Sequence, residues 1–148
     1  MSKDSKVYNI QLQIDSQMKH IRLLGGALRG IGAELELTND QIGQLELILV
    51  EAVTNVIEHA YEYKTGNQIQ VKVECDPDNT IKMIISDRGK SMPDSLQGKL
   101  KADRLSLPEP ELLPESGWGM GLIQMLSDSF HYERNNEQNY WHIMKCLA

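Results

Sequence analysis

The chain has 148 residues, 41% of them hydrophobic and 24% charged, which is the profile of one globular domain with an ordinary core. A formal net charge of −6 excludes the broad basic surface that holds a nucleic-acid backbone. No apolar run reaches the roughly 18–20 residues needed to span a bilayer, and Met1-Ser2-Lys3-Asp4 is too polar to open a signal peptide. The expectation is a cytoplasmic protein with no membrane and no nucleic-acid partner. Cys75 and Cys146 lie far apart in strand-like stretches and read as buried free thiols, not as a disulfide or metal framework.

Tyr8, Ile10, Leu12 and Ile14 alternate with polar residues, so the chain opens on a half-buried strand. Asp15 and Ser16 are placed to cap a helix carrying Met18, Ile21, Leu24, Leu28 and Ile31. Gly25, Gly26, Gly30 and Gly32 weaken that helix, either to let another segment approach closely or because its end frays. Thr38 and Gln41 have the spacing of a capping box, which starts a second helix running to about Tyr63. Two alternating runs, Ile69 to Cys75 and Ile81 to Ile85, flank the turn Asp76-Pro77-Asp78-Asn79 and predict a hairpin ending at Asp87-Arg88-Gly89. Regular patterning is lost from Lys90 to Ser116, which holds four of the five prolines; a lid over a ligand and a surface insertion both fit. A short helix opens at Gly117-Trp118-Gly119-Met120-Gly121, and two strands follow, near Phe130–Arg134 and Tyr140–Leu147. This order predicts one α+β domain over 1–148: a two-layer α/β sandwich with a mixed, mainly antiparallel sheet and helices on one face.

At about 100° per residue, the second helix is apolar over most of its circumference. Glu51, Asn55 and His59 form one polar stripe on it, drifting about 40° per step. The stripe is either the solvated side or a ligand site, since carboxylates are seldom buried without a partner. The oxygens of Glu and Asn suit Mg²⁺. Asp87-x-Gly89 closes a strand as an ordinary turn, or as an acceptor for an amine with room beside it for a ligand. Gly117, Gly119 and Gly121 make either a flexible linker or a phosphate site at a helix start; they match neither the dinucleotide fingerprint nor a P-loop.

Taken in order, striped helix, strand with Asp-x-Gly, irregular segment and glycine-rich helix start, the sequence resembles the GHKL (Bergerat-fold) ATPases and kinases. Within them it is similar to the small anti-sigma factor serine kinases. Residues 49–61, LVEAVTNVIEHAY, resemble the N-box of that group, Ile84 to Gly89 the first glycine box, and Gly117 to Ile123 the second. The resemblance implies ATP and Mg²⁺ as cofactors, with Glu51 as general base and Asn55 as the metal ligand. It implies that Asp87 binds adenine with Gly89 giving it room. It also implies that Gly117, Gly119, Gly121 and Leu122 shape the phosphate site and that 90–116 forms the ATP lid. His59 matches a recurrent position without an assigned role.

Three departures from the family pattern stand out. Ser91 replaces a second glycine, Glu115-Ser116 replaces an arginine before the second glycine box, and Gln138-Asn139 replaces a Gly-Thr pair whose threonine supports the adenine site. Phosphate charge would then fall to Lys90, Lys99, Lys101 or Arg104. The function implied is a protein-serine kinase that phosphorylates a STAS-domain anti-sigma-factor antagonist and sequesters a sigma factor or another regulator. The departures motivate an alternative, a nucleotide-binding regulatory module without significant transfer. A sensor histidine kinase is disfavoured, since His20 lies in an ordinary helical context. The resemblance also suggests a homodimer, with Arg22 or Arg29 on a partner surface.

Overall fold

Period-two alternation is realised as five strands. A computed structural model describes residues 8–76, 78–94 and 120–147. In it β1 (Tyr8–Asp15), β2 (Gln68–Cys75), β3 (Thr80–Asp87), β4 (Ser129–Asn135) and β5 (Gln138–Cys146) form one sheet in the order β1-β2-β3-β5-β4. All four pairings are antiparallel. Two short turns fix much of the register. Asp76 Oδ1 accepts from the backbone N–H groups of Asp78 and Thr80, which closes the β2–β3 connection. Asn136 and Glu137 both take positive φ, the left-handed pair that a two-residue hairpin turn requires between β4 and β5.

Inward residues of β2 (Ile69, Val71, Val73), β3 (Ile81, Met83, Ile85) and β5 (Trp141, Ile143) are buried against the helices. Phe130 stacks on Trp141 at 5.3 Å between centroids, and Tyr132 meets the same ring edge-on at 6.3 Å, closing the core at its β4 side.

The helical layer is α1 (Ile21–Glu34), α2 (Asn39–Asn55) and α3 (Met120–Leu126). The capping box forms: Thr38 Oγ1 accepts from Gln41 N–H, and Gln41 Oε1 accepts from Thr38 N–H. Gln41 also donates to the Leu147 carbonyl at 3.0 Å, tying the start of α2 to the segment after β5. Ser16 does not cap α1. Its hydroxyl donates to the Lys64 carbonyl and accepts from Asn67 N–H, and the helix begins through a short 3₁₀ turn at Met18–His20. Two of the α1 glycines explain the close helix pairing. A Cβ on Gly32 would lie 2.6 Å from Ile42, and one on Gly25 would lie 2.8 Å from Glu46. Gly30 has open space around it. Arg29 pairs with Glu46 at 2.6 Å across the two helices, so it is engaged within the chain. Cys75 is buried as expected, whereas Cys146 is exposed at the edge of the molecule; both are free thiols.

Candidate functional site

The site is built where the end of α2 meets the end of β3. The second helix does not run evenly to Tyr63. After Asn55 it widens into a π turn, Val56–Ala60, in which Tyr61 N–H bonds to the Val56 carbonyl. Glu62 and Tyr63 then take positive φ and stop it. Such wide turns are uncommon and are frequent at functional sites. Here the turn leaves the Ala60 carbonyl available to Lys90 N–H at 2.8 Å. Gly89 packs directly on Ala60: a Cβ at Gly89 would lie 2.4 Å from the Ala60 oxygen, so only glycine fits. Tyr61 completes the joint, its hydroxyl donating to the Gln68 carbonyl and accepting from Arg88 N–H at 2.8 Å. The two expected motifs are thereby brought together by backbone contacts.

On α2 the polar stripe is graded by depth. Glu51 is partly buried, and burial raises its pKa, with the nearby negative charge of Glu58 adding to the rise. Asn55 is 1% exposed, and its Nδ2 has no hydrogen-bond partner among the described residues. An amide left so costs about 1–3 kcal/mol, which a ligand can recover. His59 lies in the π turn, 3.6 Å from Glu58. The stripe is therefore not a solvated face.

Asp87 ends β3 and is 2% exposed. Its Oδ1 accepts from Gly89 N–H and from Asn139 Nδ2, each at 2.8 Å, while Oδ2 is buried with no partner among the described residues. Burial pushes its pKa up, against the opposing pull of Asn139, of Gly89 N–H and of the Arg134 charge. Sheet register explains the arrangement. Asp87 stands opposite Asn139 on β5, and Asn139 opposite Arg134 on β4, so one row across three strands carries acid, amide and guanidinium. Asn139, which stands in place of the family's threonine, thus bonds directly to Asp87.

Gly121 and Leu122 lie in α3, which packs against α2. Gly117, Gly119, Glu115, Ser116, Lys99, Lys101 and Arg104 lie outside the described residues, as does the expected lid beyond residue 94. Lys90 is described and pairs with Glu62 at 3.1 Å. Glu58, Tyr61, Tyr132 and Arg134 were not singled out as site residues by the sequence. Glu58 and Tyr61 fall inside the N-box stretch, but Tyr132 and Arg134 carry no local signal. A groove of about 490 Å³ on the helix-free sheet face, lined by Gln11, Gln13, Lys72, Ser86, Tyr140 and His142, contains none of the orphaned groups above.

Fold and site together define a helix-on-sheet domain in which Asn55 and Asp87, on either side of the α2–β3 joint, each keep a buried polar atom without a partner among the described residues. The chain belongs to the histidine kinase-like ATPase domain family, whose model matches residues 14–144. It is similar to the serine-protein kinase RsbW of Bacillus cereus (strain AH820), with 27% identity over 120 residues, 80% of this chain and 73% of that protein. It is likewise similar to the serine-protein kinase RsbW of Bacillus subtilis (strain 168), with 24% identity over 131 residues, 86% and 79% of the two chains. In fold it matches the crystal structure of the RsbU and RsbW domains of a Mycobacterium tuberculosis protein, with a TM-score of 0.67 and 16% identity. That match takes in 95% of this chain and 32% of the other, so the chain spans about a third of that larger protein. Among the described residues, no helix is long and apolar enough to cross a membrane.

Proposed function

We propose that the chain is an ATP-dependent protein-serine kinase acting as an anti-sigma, partner-switching regulator that phosphorylates a STAS-domain antagonist. The observation that carries this reading is Asp87, buried with Oδ2 unpartnered among the described residues and locked by Gly89 onto the helix that bears Glu51 and Asn55. Membership of the ATPase family and similarity to proteins named serine-protein kinases support it.

In this reading Asp87 Oδ2 accepts from the exocyclic amine of adenine, and Gly89, with no Cβ, leaves the turn close-packed on Ala60. Asn55 would hold Mg²⁺, for which the oxygen donors of this stripe are suited; when bound, the ion neutralises phosphate charge. Glu51 accepts the proton that the substrate serine sheds as its oxygen bonds to the γ-phosphorus, while the bond to the β–γ bridging oxygen breaks and ADP leaves. Burial and Glu58 make it a stronger base than an ordinary glutamate. Gly121 and Leu122 contribute to the phosphate side from α3, together with Gly117 and Gly119. The partners are the STAS-domain antagonist and a sigma factor or comparable regulator.

The test is transfer of label from γ-labelled ATP to a STAS-domain protein encoded nearby. Phosphoserine is expected with the wild type, and none with Glu51→Ala, which should still bind ATP by calorimetry. ATP binding without transfer to any such protein would leave the regulatory-module reading in its place. One of its three motives has weakened, because Asn139 does bond to Asp87.

A further inference from the structure

We propose that Asn139, fixed by Tyr132 and Arg134, is a positioning residue that turns Oδ1 of Asp87 into the protein and so sets selection of adenine over guanine. The inference rests on the ATP-site reading given above.

The argument is a count of donors and acceptors. The Asn139 amide is 1% exposed, and both its ends are engaged. Its Oδ1 accepts from the Tyr132 hydroxyl and from Arg134 Nη1, which fixes which end of the amide points where. Its Nδ2 is left facing Asp87 Oδ1 at 2.8 Å, the Lys90 carbonyl at 2.8 Å and the Gly89 carbonyl at 3.3 Å. Tyr132 is itself pinned, because its hydroxyl also accepts from Met92 N–H at 2.9 Å. Arg134 reaches past Asn139 to the Gly89 carbonyl at 3.0 Å. Nothing on Asn139 remains for a base to touch, so it acts through Asp87.

Asp87 Oδ1 already accepts two N–H groups, its full complement. Among the described residues Oδ2 is the one oxygen left open, so the carboxylate cannot offer its two oxygens as a pair. Adenine offers an amine at its six position, and Oδ2 alone can accept from it. Guanine offers N1–H and its two-amino N–H side by side, a pair that matches both oxygens of a free carboxylate. Against this site guanine must set its six-position carbonyl against Oδ2, crowd both donors onto that one oxygen, or pull Oδ1 away from Gly89 and Asn139. A site built to match one hydrogen-bonding pattern rejects the other by leaving buried groups unpaired.

The experiment is calorimetric titration of the wild type, Asn139→Leu, Asn139→Thr and Arg134→Met with ATP and with GTP. The wild type should prefer ATP. Asn139→Leu, similar in size but without a donor, should lower the ATP-over-GTP ratio about tenfold or more. Asn139→Thr keeps one hydroxyl donor for Asp87 Oδ1 and should recover most of the ratio. Arg134→Met trims an exposed side chain and should lower the ratio in the same direction, even if Asn139→Leu fails to fold. Equal weakening of both nucleotides, with the ratio unchanged, would assign Asn139 a structural role and overturn the proposal. A wild type that binds ATP and GTP alike overturns it while sparing the kinase reading. A wild type that binds neither removes the ATP site and this inference together.

Discussion

Asp87→Asn separates folding from ligand recognition at a single atom. In the folded chain Oδ1 accepts from Gly89 N–H and Asn139 Nδ2, and an asparagine oxygen takes over both bonds. These donors dictate the orientation of the new amide, so its NH₂ must stand where Oδ2 stood. The acceptor offered to an adenine amine becomes a donor facing a donor. Loss of a hydrogen bond to a charged group is worth about 1.5–3 kcal/mol, so ATP affinity should fall about 10-fold to 150-fold. Stability should move the other way. Burial raises the Asp87 pKa in the folded state above the ordinary aspartate value. The stability linked to a raised carboxyl pKa is complete below the unfolded value and is lost as pH rises through the folded value. Above its raised folded pKa the wild type carries an ionised, half-partnered buried carboxylate, and the variant carries a neutral amide. Thermal unfolding without nucleotide should give Asp87→Asn a melting temperature at or above that of the wild type at pH 8. That advantage should shrink toward pH 4. Calorimetry supplies the affinity. Unchanged ATP binding would refute the recognition role of Oδ2, and a large loss of stability at pH 8 would refute the hydrogen-bond assignment.

The other predictions concern the joint and the base. Glu51 must be ionised to accept a proton, so transfer should fall as pH drops through its raised pKa. Glu58→Gln removes the smaller of the two causes and should move that acid limb to lower pH in a pH–rate profile; an unmoved limb would refute the coupling. Gly89→Ala forces a Cβ against the Ala60 backbone and should cost about 1–3 kcal/mol, or about 3–9 °C in melting temperature. Differential scanning calorimetry checks this, and an unchanged transition would contradict the close packing. Tyr61→Phe strips the partner from Arg88 N–H and from the Gln68 carbonyl, and should lower stability in urea by about 1–3 kcal/mol with faster amide exchange at Arg88. Wild-type exchange at that amide would argue against the bridge.

Strand alternation and the capping box at Thr38 were legible because both are local. Register was not, and the site depends on it. Asn139, 52 residues from Asp87, is flagged only by the resemblance, as the replacement of a threonine, and Arg134 is a polar residue near the end of a hairpin strand until β4 and β5 are aligned. Ser16 shows the same limit in reverse. Its sequence context favours a helix cap, but the Lys64 carbonyl offers its buried hydroxyl an acceptor and Asn67 N–H a donor, neither of them local in the chain. The α1 glycines were read as one group. Only the facing side chains of α2 distinguish Gly25 and Gly32, which are needed for contact, from Gly30, which is not. Cys146 sits in a strand-like run, yet that run ends at the exposed margin of the sheet.

The stripe of Glu51, Asn55 and His59 shows why periodicity stops short of a site. Spacing places the three side chains on one face but assigns them no depth. Depth comes from what packs beside each turn: Asn55 is closed in, Glu51 is half covered, and His59 sits where the helix has already widened. That widening links the two motifs. A helix continued at 3.6 residues per turn would bond the Ala60 carbonyl to Lys64 N–H; here Lys64 N–H goes to Tyr61 instead. The released Ala60 carbonyl takes Lys90 N–H, and Gly89 can then lie flat on Ala60. The Lys90–Ala60 backbone bond, the Gly89 contact and the Tyr61 hydroxyl together hold the turn after Asp87 against the π turn that follows α2. The glycine of Asp87-x-Gly89 is therefore required by its contact with the turn that ends the helix, whatever else it does.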